Sequence, residues 1–530
     1  MLIFYRVKYN QHLNRFFIVI CAIPACQRAS FIQEWRMTLA SVYAMAPAKA
    51  ETRTERVAVI DIGSNSLRLV VYANNGRYPF PLFNERSNCR LGANLDTTGI
   101  LKQDRIDVAV TTITRFAHVL SNMGVSRVYA VATAAVRRAT NAADFITPAE
   151  AALGHPIRVL SQSEEAHYVS KGLVLNVPSA SGIVADLGGG SLEIVRLEKG
   201  KVKYSISLNI GHLSTLKDKD IDKALAGVKW LGAKKNLKLY GVGGSFRALG
   251  LAFIEETRYP LSVLHGLKID ADDAIDILNH IVSDISDVGG IPEGRKKTMP
   301  TAARIMRALM RTAKVAKLEI SGSSIRDGVI AAYELNDAER ADFLLAVCSE
   351  IYQNNSRFPD VPEKLFAFLK PLQMTSDSKQ FNRLLEAACY LADFCWNEHE
   401  DIRGDLAARR VLGLPANCVT HKDRIWLALA VYHRHVGLKQ NKARPRELRH
   451  ILGEAHRKQA VAIGLGLRFA MFFSGGTATD LGKIRLSVAK KVLTLHVGAG
   501  AAALIDEHAE RRFTLLAQSI KCSASIIIED

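Results

Sequence analysis

Two aspartates, each ending an apolar run and each followed by small residues, are the positions in this chain best suited to phosphate chemistry. Val57-Ala58-Val59-Ile60 leads into Asp61-Ile62-Gly63-Ser64-Asn65-Ser66, and Gly182-Ile183-Val184-Ala185 leads into Asp186-Leu187-Gly188-Gly189-Gly190-Ser191. Glycine and serine let backbone N–H groups approach an anion closely, and a carboxylate at a strand end can hold a divalent cation. The repeat reads as a phosphate clamp.

These residues need elements to position them. Each copy is a short apolar strand, a turn and an alternating strand (Leu67 to Tyr72, Leu192 to Leu197), closed by a turn signal at Asn74-Asn75-Gly76 or Glu198-Lys199-Gly200-Lys201. Two such hairpins can face one another across a cleft. Between them, the spacing of Ile106, Val110, Ile113, Ala117 and Leu120 predicts a helix that stops near Gly124. A strand at Val128 to Val131 delivers Ala132-Thr133 and Arg137, and another at Ile157 to Leu160 ends where a helix begins at Ser163-Glu164-Glu165-Ala166. A third glycine-rich turn, Gly241-Val242-Gly243-Gly244-Ser245, follows the strand at Leu237 to Tyr240. The strand at Leu318 to Ile320 feeds Ser324-Ile325-Arg326-Asp327-Gly328. Alternating strands and helices predict an α/β fold on mixed sheets. Beyond about residue 335 the glycine turns thin out and amphipathic helical patterns dominate, clearest at Leu384 to Phe394 and Ile425 to Val436.

With 530 residues, 48% hydrophobic and 23% charged, the chain is a multi-domain globular protein and not a disordered one. Its formal net charge of +18 suits a polyanionic partner without choosing among nucleic acid, membrane surface and polyphosphate. The eight cysteines show no C-x-x-C and no zinc spacing, which fits reduced thiols in a cytoplasmic protein. No stretch after the N-terminal region reaches the length of a transmembrane helix. Residues 1–55 read as an N-terminal extension. Met37 and Met45 offer internal starts, a disordered tail is the second reading, and an export signal the third, since the apolar run after Arg15 is short and broken by Pro24.

Taken together, these motifs resemble the exopolyphosphatase and guanosine pentaphosphate phosphatase family, whose relatives include actin and the sugar kinases. Six pieces occur in the family's order across roughly residues 56–335: Asp61 to Ser66, Ala132-Thr133 with Arg137, Ser163 to Ala166, Asp186 to Glu193, Gly241 to Ser245, and Ser324 to Gly328. The resemblance implies two actin-like (ribonuclease H-like) α/β subdomains around a cleft, over 56–180 and 181–335, and an all-helical, HD-like C-terminal domain over 336–530. It also implies removal of a terminal phosphate from inorganic polyphosphate or from guanosine pentaphosphate (pppGpp), with Mg2+ or another divalent cation. Asp61 and Asp186 then hold the metal. Glu165 becomes the water-positioning base, Glu193 the second catalytic carboxylate and Glu164 a structural residue. The phosphate-binding set is Gly63, Ser64, Asn65, Ser66, Arg68, Arg137, Gly188, Gly189, Gly190, Ser191, Gly243, Gly244, Ser245 and Arg326. Arg247 follows the third loop. Each arginine has a surface ion-pair alternative, and the third loop is either inherited architecture or a polymer contact.

The helical half departs from the family pattern. Leu391-Ala392-Asp393 stands where an HD domain would carry a His-Asp metal site, and His399, His421, His433 and His435 lack ligand spacing. We expect this domain to be non-catalytic, extending a basic channel and supporting homodimer contacts. A long polyanion engages many cations at once, so exopolyphosphatase leads, with pppGpp phosphatase as the alternative and no specific nucleic-acid partner. A kinase-like phosphotransferase, or a catalytically dead polyphosphate or alarmone sensor, are the remaining readings. A location at the membrane periphery is compatible with the basic charge.

Overall fold

The computed structural model describes residues 55–74, 79–234, 237–335, 342–373, 378–438, 448 and 451–530. The reading of residues 1–54, and of the turn at Asn75-Gly76, lies outside the described residues. Strands β1 (Glu55–Ile62), β2 (Leu67–Asn74), β3 (Pro79–Ser87), β4 (Arg127–Ala132) and β5 (Ile157–Val159) form one sheet in the order β3-β2-β1-β4-β5. Strands β1 to β3 pair antiparallel, while β4 joins β1, and β5 joins β4, in parallel.

A second sheet repeats that plan. Strands β6 (Gly182–Leu187), β7 (Leu192–Glu198), β8 (Lys201–Leu208), β9 (Leu237–Val242), β10 (Leu267–Asp270) and β11 (Val315–Ile320) run in the order β10-β11-β9-β6-β7-β8. Without the antiparallel edge strand β10, the remaining five match the first sheet in order and direction. This duplicated order is the actin-like plan. β3 and β8, the third strand of each meander, were not anticipated; prolines at 79 and 81 disguise one, and the mostly exposed residues of the other give no core signal.

β1 and β6 read as unbroken apolar runs because both their faces are covered. Ala58, Ile60 and Ile62 pack under the outer helices of the first sheet, while Val57 and Val59 face a core shared with Val184, Val195 and Tyr240 of the second. Two helices, Gln162–Asn176 and Ile325–Tyr333, fill that shared layer and cross with almost no side chain between them. A Cβ on Gly172 would stand 2.4 Å from the Ser324 carbonyl oxygen, and one on Gly328 would stand 1.8 Å from that of Tyr168. Only glycine permits this approach, which locks the Glu165 and Arg326 helices together.

The C-terminal half is mainly helical and also carries a three-stranded sheet, β12 (Ile484–Ala489), β13 (Val492–Gly498) and β14 (Ser523–Glu529), in the order β12-β13-β14. The alternating burial of Val492–Gly498 is a strand period that the helix-weighted reading passed over. Asp393 is buried and accepts hydrogen bonds from Arg357 Nη2, Nε and backbone N at 2.7, 2.9 and 3.2 Å, with Arg434 at 3.6 Å. The four histidines noted in the sequence are held by structural contacts. His399 caps a helix, His421 meets Tyr259, His433 bonds the Gly437 carbonyl and His435 that of Phe394. Removing one partner of a buried ion pair costs about 3–5 kcal/mol. Asp393→Ala should therefore lower urea-unfolding stability by about that amount. No helix among the described residues is long and apolar enough to cross a membrane.

Candidate active site

The two phosphate loops meet. A Cβ on Gly189 would stand 3.3 Å from Ser64 Cβ, and one on Gly190 would stand 3.5 Å from Ser64 Oγ. Each loop is closed in the same way, Gly63 N–H donating to the Ser66 carbonyl at 3.2 Å and Gly188 N–H to that of Ser191 at 2.9 Å. The repeat extends to register. Asp61 pairs with Arg68 across the first hairpin, and Asp186 with Glu193 across the second. One plan thus puts a cation beside the first aspartate and a carboxylate beside the second.

Between the sheets lies a cavity of about 450 Å3 lined by Asp61, Glu165, Asp186 and Glu193 together with both loops. Of the sequence-predicted residues, Gly63, Ser64, Asn65, Ser66, Arg68, Gly188, Gly189, Ser191, Gly243, Gly244 and Arg326 also line it. Arg137, Gly190 and Ser245 do not. Arg137 Nη1 donates to Glu165 Oε2 at 2.7 Å and to the Leu160 carbonyl at 2.9 Å, so it holds the carboxylate in place. Ser245 is buried, with Oγ 3.5 Å from the Leu187 carbonyl, and Gly190 faces a neighbouring basin.

Local sequence explains why Glu165, and not Glu164, enters the cavity. Ser161 caps the Gln162–Asn176 helix by accepting from Glu164 N–H, and the Glu164 carboxylate receives the Ser161 N–H at 2.8 Å. The Ser161 backbone and hydroxyl bonds and Arg158 hold Glu164 down at about 2. Its neighbour turns inward. Burial raises Glu165, aided by Asp61 and opposed by Arg137. Burial, then Glu165 and Asp61, push Asp186 up to about 7, with Arg326 pulling the other way. Glu193 rises well above its ordinary value through burial, Glu165 and Asp186, although Ser207 Oγ donates to it at 3.0 Å.

Cations surround this acidic floor. Arg326 Nη1 donates to Asp61 Oδ2 at 2.7 Å; burial alone would lower its pKa, but Asp61, Tyr72 and Asp327 together raise it. Burial, then Arg326 and Arg247, bring Arg68 down to about 10. Burial, then Arg86 and Arg247, do the same to Arg295. Arg86 and Arg295 line the cavity but escaped the sequence reading. Arg86 lies opposite Arg68 in the β2–β3 register and donates to Ser66 Oγ at 3.1 Å. Arg295 comes from a short helix, Glu293–Lys296, and its guanidinium rests where a side chain on Gly244 would be. Guanidiniums crowded enough to depress one another make a site complementary to several phosphate charges.

The cavity continues both ways. Past the loops it meets a basin of about 490 Å3 whose walls include Arg90, Arg138 and Lys297 and no Asp or Glu among the described lining residues. On the other side, Arg68, Arg247 and Arg326 also border a space of about 290 Å3 that reaches Pro415 and Asn417 of the helical half.

Duplicated actin-like sheets, with paired glycine- and serine-rich loops meeting over acidic residues, set the class of this protein. The chain matches the Ppx/GppA phosphatase family over residues 69–337, and the family's C-terminal region, described as "Exopolyphosphatase, C-terminal", over residues 370–527; it belongs to the Ppx/GppA phosphatase family. It is 27% identical over 297 residues to a guanosine-5'-triphosphate,3'-diphosphate pyrophosphatase of Vibrio cholerae, covering 52% of this chain and 59% of that protein. A Pseudoalteromonas atlantica protein of the same name is 24% identical over 404 residues, covering 72% and 74%. Among solved structures, an Aquifex aeolicus family member is 25% identical, with a TM-score of 0.45 and coverage of 52% of this chain and 97% of that one. An exopolyphosphatase from Cytophaga hutchinsonii is 22% identical, with a TM-score of 0.49 and coverage of 53% and 98%.

Proposed function

We propose that this protein is an exopolyphosphatase, hydrolysing the terminal phosphoanhydride of inorganic polyphosphate to orthophosphate and a chain one unit shorter. The observation that carries the proposal is the contact of the two phosphate loops beside Glu165 in a cavity ringed by five arginines. Phosphoryl transfer to water needs charge neutralisation and an in-line nucleophile more than covalent chemistry. The loops supply N–H and hydroxyl donors, Arg68 and Arg326 supply positive charge, and Glu165, held by Arg137, orients a water and accepts its proton. Glu193 supports the same acidic floor.

The residues fit a divalent cation. Burial raises Asp186 and Glu193, and repulsion from Glu165 adds to both, which a cation would relieve. Among the described residues no three His, Cys, Asp or Glu gather into a metal cage. Magnesium suits that sparse donor set, because it keeps several waters and uses one or two carboxylates, here Asp61 and Asp186. When bound, it neutralises charge developing on the phosphoryl oxygens.

Two features favour the polymer over a nucleotide. No Phe, Tyr or Trp is among the described residues lining the catalytic cavity or the basin past the loops, which leaves the His212 imidazole as the ring they offer a guanine; Tyr72 and Phe343 border only the space on the other side. Both carry arginines that suit successive phosphates. The second reading, pppGpp phosphatase at the same site, is favoured by the names of the Vibrio and Pseudoalteromonas relatives. We assign the helical half to guiding the chain and to dimer contacts. Turnover on long-chain polyphosphate and on pppGpp, measured side by side with magnesium, tests the choice. We expect higher kcat/KM on the polymer, with KM rising steeply with salt. Equal or better turnover of pppGpp would reverse the assignment.

A further inference from the structure

The segment after β8 is fastened to the second phosphate loop. His212 and Leu213 donate backbone N–H to the carbonyls of Gly188 and Gly189 at 3.1 and 2.9 Å. This carries the His212 imidazole into the wall of the catalytic cavity, where the residue is only 6% exposed. Its Nδ1 is buried with no hydrogen-bond partner. Burial, then Arg295 nearby, holds His212 down at about 4, so the ring is neutral and serves no ion pair.

We propose that His212 contacts the substrate, its Nε2 hydrogen-bonding a phosphate oxygen of the group seated on the second loop. The inference rests on reading the cavity as a phosphoryl site. A neutral imidazole adds a directed bond without adding to the repulsion among the five guanidiniums. Nδ1 is sealed, so we assign the phosphate contact to Nε2. The bond forms in the bound ground state and persists in the transition state, so its loss falls on KM and not on kcat.

Two experiments test this. His212→Leu should raise KM for tripolyphosphate about 10-fold or more, the scale of a hydrogen bond to a charged group, while kcat changes little. His212→Gln, whose side-chain amide reaches towards the Nε2 position, should recover most of the loss; a purely packing role would not give that rescue. An unchanged KM in the leucine variant overturns the proposal. The second experiment needs no variant. In a crystal structure of the unmodified protein with orthophosphate, a ring nitrogen should lie within about 3.2 Å of a phosphate oxygen. A phosphate seated on the loops but beyond reach of the ring overturns this inference alone. Failure of orthophosphate to seat there at all removes the reading of the cavity, and this inference with it.

Discussion

Glu165→Gln should lower kcat for polyphosphate by about 10³-fold while leaving the fold and orthophosphate binding intact. General-base catalysis contributes about 10²–10⁴-fold, and the amide keeps the shape of the side chain but cannot take a proton. Arg137 keeps its bond to the Leu160 carbonyl in the variant, so the helix start should hold. Phosphate release and orthophosphate titration on one preparation check both halves of the expectation. Retained hydrolysis would remove Glu165 from its role. Retained binding with lost turnover would separate a hydrolase from a sensor that only binds.

Gly243→Ala should be nearly as damaging, through a different cause. The residue has φ of +84°, and an added Cβ would stand 2.3 Å from Asp186 Oδ1. No real side chain tolerates that distance, so either the loop or the Asp186 carboxylate must move. Displacing a group near the reaction by about 1 Å can cost about 10²-fold in rate. A non-glycine residue held in a sparsely populated backbone region adds about 1–3 kcal/mol of strain. We expect kcat/KM to fall about 100-fold with a measurable loss of urea-unfolding stability. Gly500→Ala, where the methyl group would meet nothing within 4 Å, should change neither. Full activity in the Gly243 variant would show that the third loop does not position Asp186.

The third loop illustrates what the sequence made legible and what it did not. Its glycines marked a strand-to-helix turn, because that turn is local. Its task, making room for the carboxylate of β6, depends on β9 lying beside β6, which no short segment encodes. The same division runs through the site. Asp61, Asp186 and the two loops were readable because strand, turn and small residues are contiguous in each copy. Glu165 was chosen over Glu164 from the family resemblance alone; the Ser161 cap that holds Glu164 is a feature of the structure. Arg86 was missed because its cue is register, opposite Arg68, on a strand whose prolines obscured it. Arg295 and His212 were missed because distant segments carry them in, one resting on Gly244 and the other tied to Gly188. Arg137 was expected at a strand end reaching a phosphate; it lies on the short helix Ala134–Arg138 and faces Glu165, a pairing between two segments that neither encodes alone.

On the proposed reading, water aimed by Glu165 attacks the terminal phosphorus seated between the two loops. Hydrolysis of polyphosphate in H2(18)O, followed by mass analysis of both products, addresses it directly. Each released orthophosphate should carry one solvent oxygen, and the new end of the shortened chain none. Label at the new chain end, or release of units other than orthophosphate, would contradict that reading.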